Sequence, residues 1–586
     1  MLKHLNISTW TFLLLSLAIV LFRSANIDNK EISWDVFGYY LPLQATFIEN
    51  DPMLDDRSWV DETVRTYQIS GTSYFVSSND DGEPMYFFLF GMSYLYSLFF
   101  FLGHLFAGWM SYTQDGLSPP YQFALVYGCL IYTVVGLYYL KKILGHFFNN
   151  ITTSITLILI VVGTNYAHHM TLKNLETVNV LFMLAGITIW NTIKWYEKQQ
   201  LKRLIYIGVS LTLMALAKPS EILFILVPIL WGITSIGSGI DRVKLWFKYK
   251  WHFLIAISVC LIIAAPQIMY WYSKTGNFFY DTYKNPGVGL DIFAPHIWES
   301  LFSYRKGWLL YTPMMLFALV GFYFLFKFDR KHFLGILIPF LVSFFIIASW
   351  TEYWYGAGFS NRPVITLYTL LAIPLGYFVL YILNTGKTIR LIAFVGLTLL
   401  IFLNQFQWWQ FRNFILHPYR TTKDYYWAVF LKTSVSEDDK NLLLINRDFS
   451  GIQTMSKPER YHRKLLFQDY SPKIEITDDQ EYYYEHKARF KDLTSKDHCW
   501  IQFSFDYQLA DSSSDVMIAT MMERENGSYA PHYYQITPSS KWSSFDTLWL
   551  TPEIRDINDQ LKYFIWDRSK SELEIMNFQI HIHERN

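Results

Sequence analysis

"YFFLFGMSYLYSLFFFLGHLFAG", residues 86–108, is long and apolar enough to be read as a membrane crossing, and whether it crosses sets the side on which every later loop lies. A hydrocarbon core of roughly 30 Å takes about 20 apolar residues of helix. Runs near that length fall at 8–24, 86–108, 121–140, 151–170, 175–193, 204–217, 221–236, 252–272, 308–326, 333–350, 363–383 and 391–409. Lysines and arginines gather in alternate loops between them: Lys141 and Lys142; Lys194, Lys198, Lys202 and Arg203; Arg242, Lys244, Lys248 and Lys250; Lys327, Arg330 and Lys331; Lys387 and Arg390. Short basic loops stay cytoplasmic. With Lys3 also inside, the alternation holds only if one early run fails to cross. The run 86–108 has internal glycines, a histidine and the polar "SYTQDGLSPP" after it, so it is expected as an interfacial or re-entrant helix. Eleven crossings remain, in a multi-pass plasma-membrane protein with a cytoplasmic N-terminus and an extracytoplasmic C-terminal domain.

That topology puts the long segment 25–120, the loops 273–307 and 351–362, and everything after about 410 on one outer face. The first run, Trp10 to Phe22 behind Lys3 and His4, also has the shape of a signal peptide. It lacks a small-x-small cleavage site and is read as a retained helix. The 49 basic residues balance 49 acidic ones, which leaves no electrostatic case for a nucleic-acid partner. Cys129, Cys260 and Cys499 are too scattered for a disulfide framework or a cysteine zinc site.

Charge at membrane depth is expensive and marks candidate functional groups. On the outer face these are Asp35, Asp80, Asp81, Glu83, His104, His168, His169, Lys173, Glu176, Lys218, Glu221, Arg305, Lys306, Glu352 and Arg362. Neither a G-x-G-x-x-G nor a Walker-type loop is present to cradle a nucleotide, so the substrate is expected in the membrane itself. Each candidate also has a plain reading. Asp35 suits a helix N-cap, Arg362 and Lys218 suit anchoring at head groups, and the adjacent His168 and His169 point to different helix faces.

Four stretches together resemble the GT-C membrane glycosyltransferases, most closely protein O-mannosyltransferases and lipid A aminoarabinose transferases. They are Asp35 just after the first helix with "EPMYFFLFGMSYLYSLFFFLGH" ahead of the next crossing, "GTNYAHHMTLKNLETVNVLFML", "LAKPSEILFILVPIL" and "WTEYWYGAGFSNRPVI". The likeness covers about residues 1–410. It departs at Val36, where such proteins carry a second acid, at Glu83 in place of a lysine before Pro84, and at Asn361 where glycine is common. The resemblance implies a sugar donor on a polyprenyl phosphate, transferred with inversion to a glycan, lipid or protein acceptor. It makes Asp35 the catalytic base, since an ordinary carboxylate is ionised at neutral pH. The donor phosphate falls to Arg362, with Lys218, Arg305 and Lys306 as lesser candidates. Asp80, Asp81, Glu83, Trp354 and Tyr355 are candidate acceptor or sugar contacts, though an interfacial aromatic belt accounts for the last two as well. No cofactor is called for, and the need for a divalent metal stays open, as does the oligomeric state. The competing reading is a non-enzymatic transporter or scaffold in envelope polysaccharide assembly; charges gathered at one face favour the enzyme.

After a connector at 411–440, residues 441–586 change to strand alternation. "WIQFSFDYQL" (500–509) puts Ile501, Phe503, Phe505 and Tyr507 on one face, and "LEIMNFQIHIH" (573–583) does the same for Met576, Phe578, Ile580 and Ile582. An antiparallel, jelly-roll-like sandwich is expected. Its last strands are similar to carbohydrate-binding jelly rolls, which implies a binding or positioning role; a plain structural accessory stands beside it.

Overall fold

The computed structural model describes residues 6–283, 288–443, 448–449, 461–469, 474–476, 481–496, 498–511, 513–524, 527–552, 554 and 556–585. The chain divides into two compact units. One comprises Met1–Lys284 with Pro295–Tyr419, the other Asn285–Ala294 with Arg420–Asn586.

The first unit is helical, and its apolar helices make this a multi-pass membrane protein. Among the described residues, six are long and apolar enough to cross: Ile7–Ser24, Pro119–Phe147, Thr177–Glu197, Lys250–Thr275, Arg330–Ala348 and Lys387–Arg412. Four shorter apolar helices, Asn150–Val162, Pro219–Leu230, Met315–Phe328 and Tyr368–Leu383, accompany them. Together with Leu201–Ala217, these occupy every run expected to cross.

The loops sort into two sets. At one end of the bundle Lys141 donates to Thr9 (2.6 Å), Lys142 lies over Trp190, Arg242 lies over Tyr196, and His332 packs on Phe147 and Trp231. At the other end Arg23 reaches Asn174 (2.7 Å), Lys274 reaches Asp55 (2.7 Å), and Asp35 meets Arg362. The basic loops thus meet one another, and so do the loops that carry the candidate residues.

The helix Gly91–Trp109 stays with the second set. Its start abuts the end of Leu201–Ala217, where a Cβ on Gly91 would collide with the backbone of Leu216 and Ala217. From there it runs back along the first half of Pro119–Phe147: Tyr132 donates to Leu95 O (2.8 Å) and Tyr121 bonds His104 (2.6 Å). That partner has 29 residues, about 43 Å at about 1.5 Å per residue. It is longer than a bilayer core, so its first turns are free to pair with a helix that does not cross.

Packing within the bundle relies on close backbone approach. A Cβ at Gly321 would collide with the Pro374 carbonyl, so the helices Met315–Phe328 and Tyr368–Leu383 touch there by backbone. Gly321→Val is expected to cost about 1–3 kcal/mol by overpacking, read as a lower thermal midpoint of the full-length protein in detergent. An unchanged midpoint would show that the two helices have room to separate.

The second unit is a β-sandwich. One antiparallel sheet orders its strands Asp448–Phe449, Ser539–Leu550, Cys499–Leu509, Leu573–Arg585 and Tyr461–Asp469, with Ile474–Ile476 also on Leu573–Arg585. The other runs Tyr482–Arg489, Gln560–Asp567, Val516–Arg524 and Gly527–Gln535. Ile501, Phe503, Phe505 and Tyr507 are all buried in the core, and Phe503 meets Tyr563 of the facing sheet at 5.5 Å between ring centroids. One expectation is corrected. A bulge between Met576 and Gln579, with Asn577 at φ 56°, shifts the alternation of the last strand. Ile575 rather than Met576 therefore joins Phe578, Ile580 and Ile582 in the core.

Candidate active site

Asp35 opens the helix Asp35–Phe47, behind a Trp34 held at φ 52° and ψ −133°. A bulky residue seldom takes that backbone, and such strain collects at functional sites. The tertiary fold maintains it: the Trp34 N–H donates to Ile69 O (3.3 Å). No side chain caps the helix. The Asp35 carboxylate accepts instead from Tyr74 Oη at Oδ1 (2.7 Å) and from Arg362 Nη2 at Oδ2 (2.9 Å). The capping reading of Asp35 gives way to an ion pair between residues 327 positions apart.

Arg362 is delivered by the loop after Arg330–Ala348, at the start of the short turn Arg362–Ile365. The approach contains left-handed residues, Tyr355 (φ 49°), Gly356 (φ 68°) and Ser360 (φ 62°). A buried amide fixes its end. Asn165 Nδ2 donates to Phe359 O (3.3 Å) and Asn361 O (3.2 Å), Tyr368 Oη donates to Asn165 Oδ1 (2.6 Å), and Trp308 Nε1 donates to Tyr368 Oη (3.0 Å).

The other arm of the guanidinium, Nη1, faces Glu176 Oε1 at 3.4 Å, and Glu176 Oε2 bonds His169 Nδ1 at 3.0 Å. An ionised carboxylate only accepts, so His169 Nδ1 carries the hydrogen. The result is one continuous row: Tyr74, Asp35, Arg362, Glu176, His169. Exposure falls along it, with the side chains of Asp35, Arg362, Glu176 and His169 at 34%, 22%, 11% and 0%. Burial pushes the Glu176 carboxyl up, but Arg362, His169 and Lys173 outweigh it and hold its pKa well below the usual carboxylate range. Burial likewise opposes the charge on Arg362, and Glu176 and Asp35 more than restore it. Burial and the Asp35 charge push the Tyr74 phenol far up, so Tyr74 remains a donor.

Of the remaining candidates, Lys218 and Lys306 lie close enough to feel the Arg362 charge. Lys218 is 3.8 Å from Glu221 and 5.2 Å from the Tyr355 ring centroid, while Tyr355 Oη donates to Ile347 O (2.7 Å). Arg305 lies 3.6 Å over the Trp354 ring and donates to Tyr419 O (2.6 Å). Lys306 is buried, and its ammonium donates to Gly358 O and Pro418 O. That burial, with Arg305 and Arg362 nearby, lowers its pKa well below the ordinary lysine value. Lys306 thereby ties two loops together at the side of the site. Asp80, Asp81 and Glu83 form the tip of a hairpin between Val76–Ser78 and Pro84–Tyr86. Tyr280 donates to Asp80 (3.0 Å), Asn79 accepts from Asp81 N and Glu83 N, and Asn79 Nδ2 donates to Lys274 O (2.8 Å). His168 turns from His169 and accepts from Trp408 Nε1 (3.1 Å) beside Phe411.

Among the described residues, no three His, Cys, Asp or Glu side chains converge as metal ligands. Asp35 and Glu176, the two acids of the row, do not face each other; Arg362 stands between them. Residue reading placed Glu176 and His169 among the outer-face charges without giving them a role at Arg362, and it passed over Tyr74. Glu176 carried a signal comparable to that of Asp35, an acid at the very edge of an apolar run; which cation it meets depends on loops far apart in the chain.

Residues 107–271, under a third of the chain, match the family described as dolichyl-phosphate-mannose-protein mannosyltransferase. No curated protein matches the chain. Among solved structures it is similar to arabinosyltransferase EmbB from Mycobacterium smegmatis, at 10% identity over 77% of this chain. The match covers 57% of that protein, and its TM-score of 0.22 is too low to carry a fold comparison. The family likeness therefore belongs to residues 107–271: that segment is similar to glycosyltransferases of the class which the outer-loop motifs resemble.

Proposed function

We propose that this protein is a GT-C-type membrane glycosyltransferase that moves a sugar from a polyprenyl-phosphate donor to a glycan, lipid or protein acceptor outside the cytosol, with inversion. The observation that carries the reading is the Asp35–Arg362 pair, a carboxylate and a guanidinium 2.9 Å apart and both partly open to solvent. It lies at the end of a bundle of apolar helices. A lipid-borne donor arrives through the bilayer and needs its head group at such an end.

In this reading Asp35 accepts the proton of an acceptor hydroxyl. The hydroxyl oxygen bonds the anomeric carbon on the face opposite the lipid phosphate. The bond from that carbon to the phosphate oxygen breaks, and its electron pair leaves with the polyprenyl phosphate. Attack from the opposite face inverts the anomeric configuration. Arg362 stabilises the charge that grows on the departing phosphate, where low local dielectric makes such stabilisation large. Lys218 and Arg305 add positive potential nearby.

The test compares lipid-linked sugars and surface glycans in cells with and without the gene. The expected result is accumulation of one polyprenyl-phosphate sugar and loss of that sugar from one glycan. No change in either pool would overturn the proposal.

A further inference from the structure

Arg362 serves two carboxylates at once, and the two are held differently. On its Nη1 side, Glu176 lies at 3.4 Å, is only 11% exposed, is held on its second oxygen by His169, and stands at the N-cap of Thr177–Glu197. The backbone around it is fixed too, since Asn179 Nδ2 donates to His169 O (2.8 Å) and Lys173 O (3.1 Å). On its Nη2 side, Asp35 is three times as exposed as Glu176, at 34% against 11%.

This asymmetry decides which pair can be exchanged. Breaking a buried pair leaves a charge without water or partner and is strongly unfavourable. An exposed pair separates cheaply, because solvent or an incoming ion takes the place of the partner. A phosphate entering from the open side therefore competes with Asp35, not with Glu176. Arginine suits the exchange, because its planar fork presents two separate edges to two anions.

We propose that Glu176, oriented by His169, is a positioning residue that anchors Arg362 through Nη1, so that the Nη2 edge passes from Asp35 to the donor phosphate and the base is unmasked only when the donor is bound. The inference rests on the glycosyl-transfer reading and adds an order of events to it. Without a donor, both carboxylate oxygens of Asp35 are occupied, one by Tyr74 and the other by Arg362. Once the phosphate takes Nη2, the carboxylate keeps only Tyr74 and is free to accept a proton. This ordering keeps the base occupied while no donor is present.

A double-mutant cycle on the full-length protein in detergent tests the idea, with binding of a polyprenyl phosphate as the readout. Glu176→Gln is expected to weaken binding about tenfold, and Arg362→Gln at least as much. The double variant should be no weaker than Arg362→Gln alone, because Glu176 acts through Arg362. His169→Gln, which keeps a donor for Glu176, should lose less than Glu176→Gln. It serves as the second variant should Glu176→Gln fail to fold, and its loss should likewise vanish in the Arg362→Gln background. Additive losses in both cycles would overturn the inference and leave the functional reading standing. Failure of the unaltered protein to bind polyprenyl phosphate would overturn both.

Discussion

Asp35→Asn is expected to lower sugar transfer by about 10²–10⁴-fold, the usual contribution of a positioned general base, with membrane insertion and yield unchanged. The amide keeps the shape of the carboxylate and still accepts from Tyr74, but it takes no proton from an acceptor hydroxyl and no longer pairs with the Arg362 charge. Because Asp35 is one-third exposed, loss of that pair costs little stability. Transfer and stability should therefore separate in this variant. The measurement is single-turnover transfer from a polyprenyl-phosphate sugar, beside a thermal melt of the same preparation. Transfer at the original rate would remove Asp35 from the mechanism.

Arg362→Gln should behave differently, losing both transfer and stability. Glu176 is ionised and only 11% exposed, and Arg362 is the largest of the influences that hold it ionised. Taking away one partner of a buried pair costs about 3–5 kcal/mol. Here the lower end applies, since His169 still bonds Glu176 and Arg362 is partly exposed. Glu176→Gln made together with Arg362→Gln should restore much of the thermal midpoint, because the stranded charge goes with it, while transfer stays lost. Arg362→Lys keeps the charge but has a single nitrogen for two carboxylates, so it should recover stability better than activity. A midpoint unmoved by Arg362→Gln would show that Glu176 has another route to solvent or to a cation.

Much of the fold was legible because it rests on one-dimensional patterns. Apolar length marked the long helices, and the alternation of basic loops set 86–108 apart from the runs around it; in the structure that helix packs along the first half of Pro119–Phe147. In the sandwich, period-two alternation placed Ile501, Phe503, Phe505 and Tyr507 inward. It failed where the chain leaves the period: the bulge at Asn577 brings Ile575 inward and turns Met576 aside. A bulge depends on the neighbouring strand and leaves little trace in its own residues.

The site divides in the same way. Asp35 and Arg362 were each visible as charges at the edge of apolar segments, where an ion needs a reason to be. That Arg362 pairs with both Asp35 and Glu176 was not visible, nor that Tyr74 holds the other oxygen of Asp35. Lys306 shows the converse. Its charge and position drew it toward the phosphate, yet the loops fold so that its ammonium meets the carbonyls of Gly358 and Pro418.

By itself, then, the order of residues determined that this protein builds a bundle of apolar helices and which ionisable groups stand at the edges of their apolar runs, because burial of apolar surface and the cost of charge in hydrocarbon act on each segment locally. Only the tertiary structure decided which of those charges become partners. An ion pair forms over a few ångströms, and helices hundreds of residues apart must first pack before Asp35, Arg362 and Glu176 come within that distance.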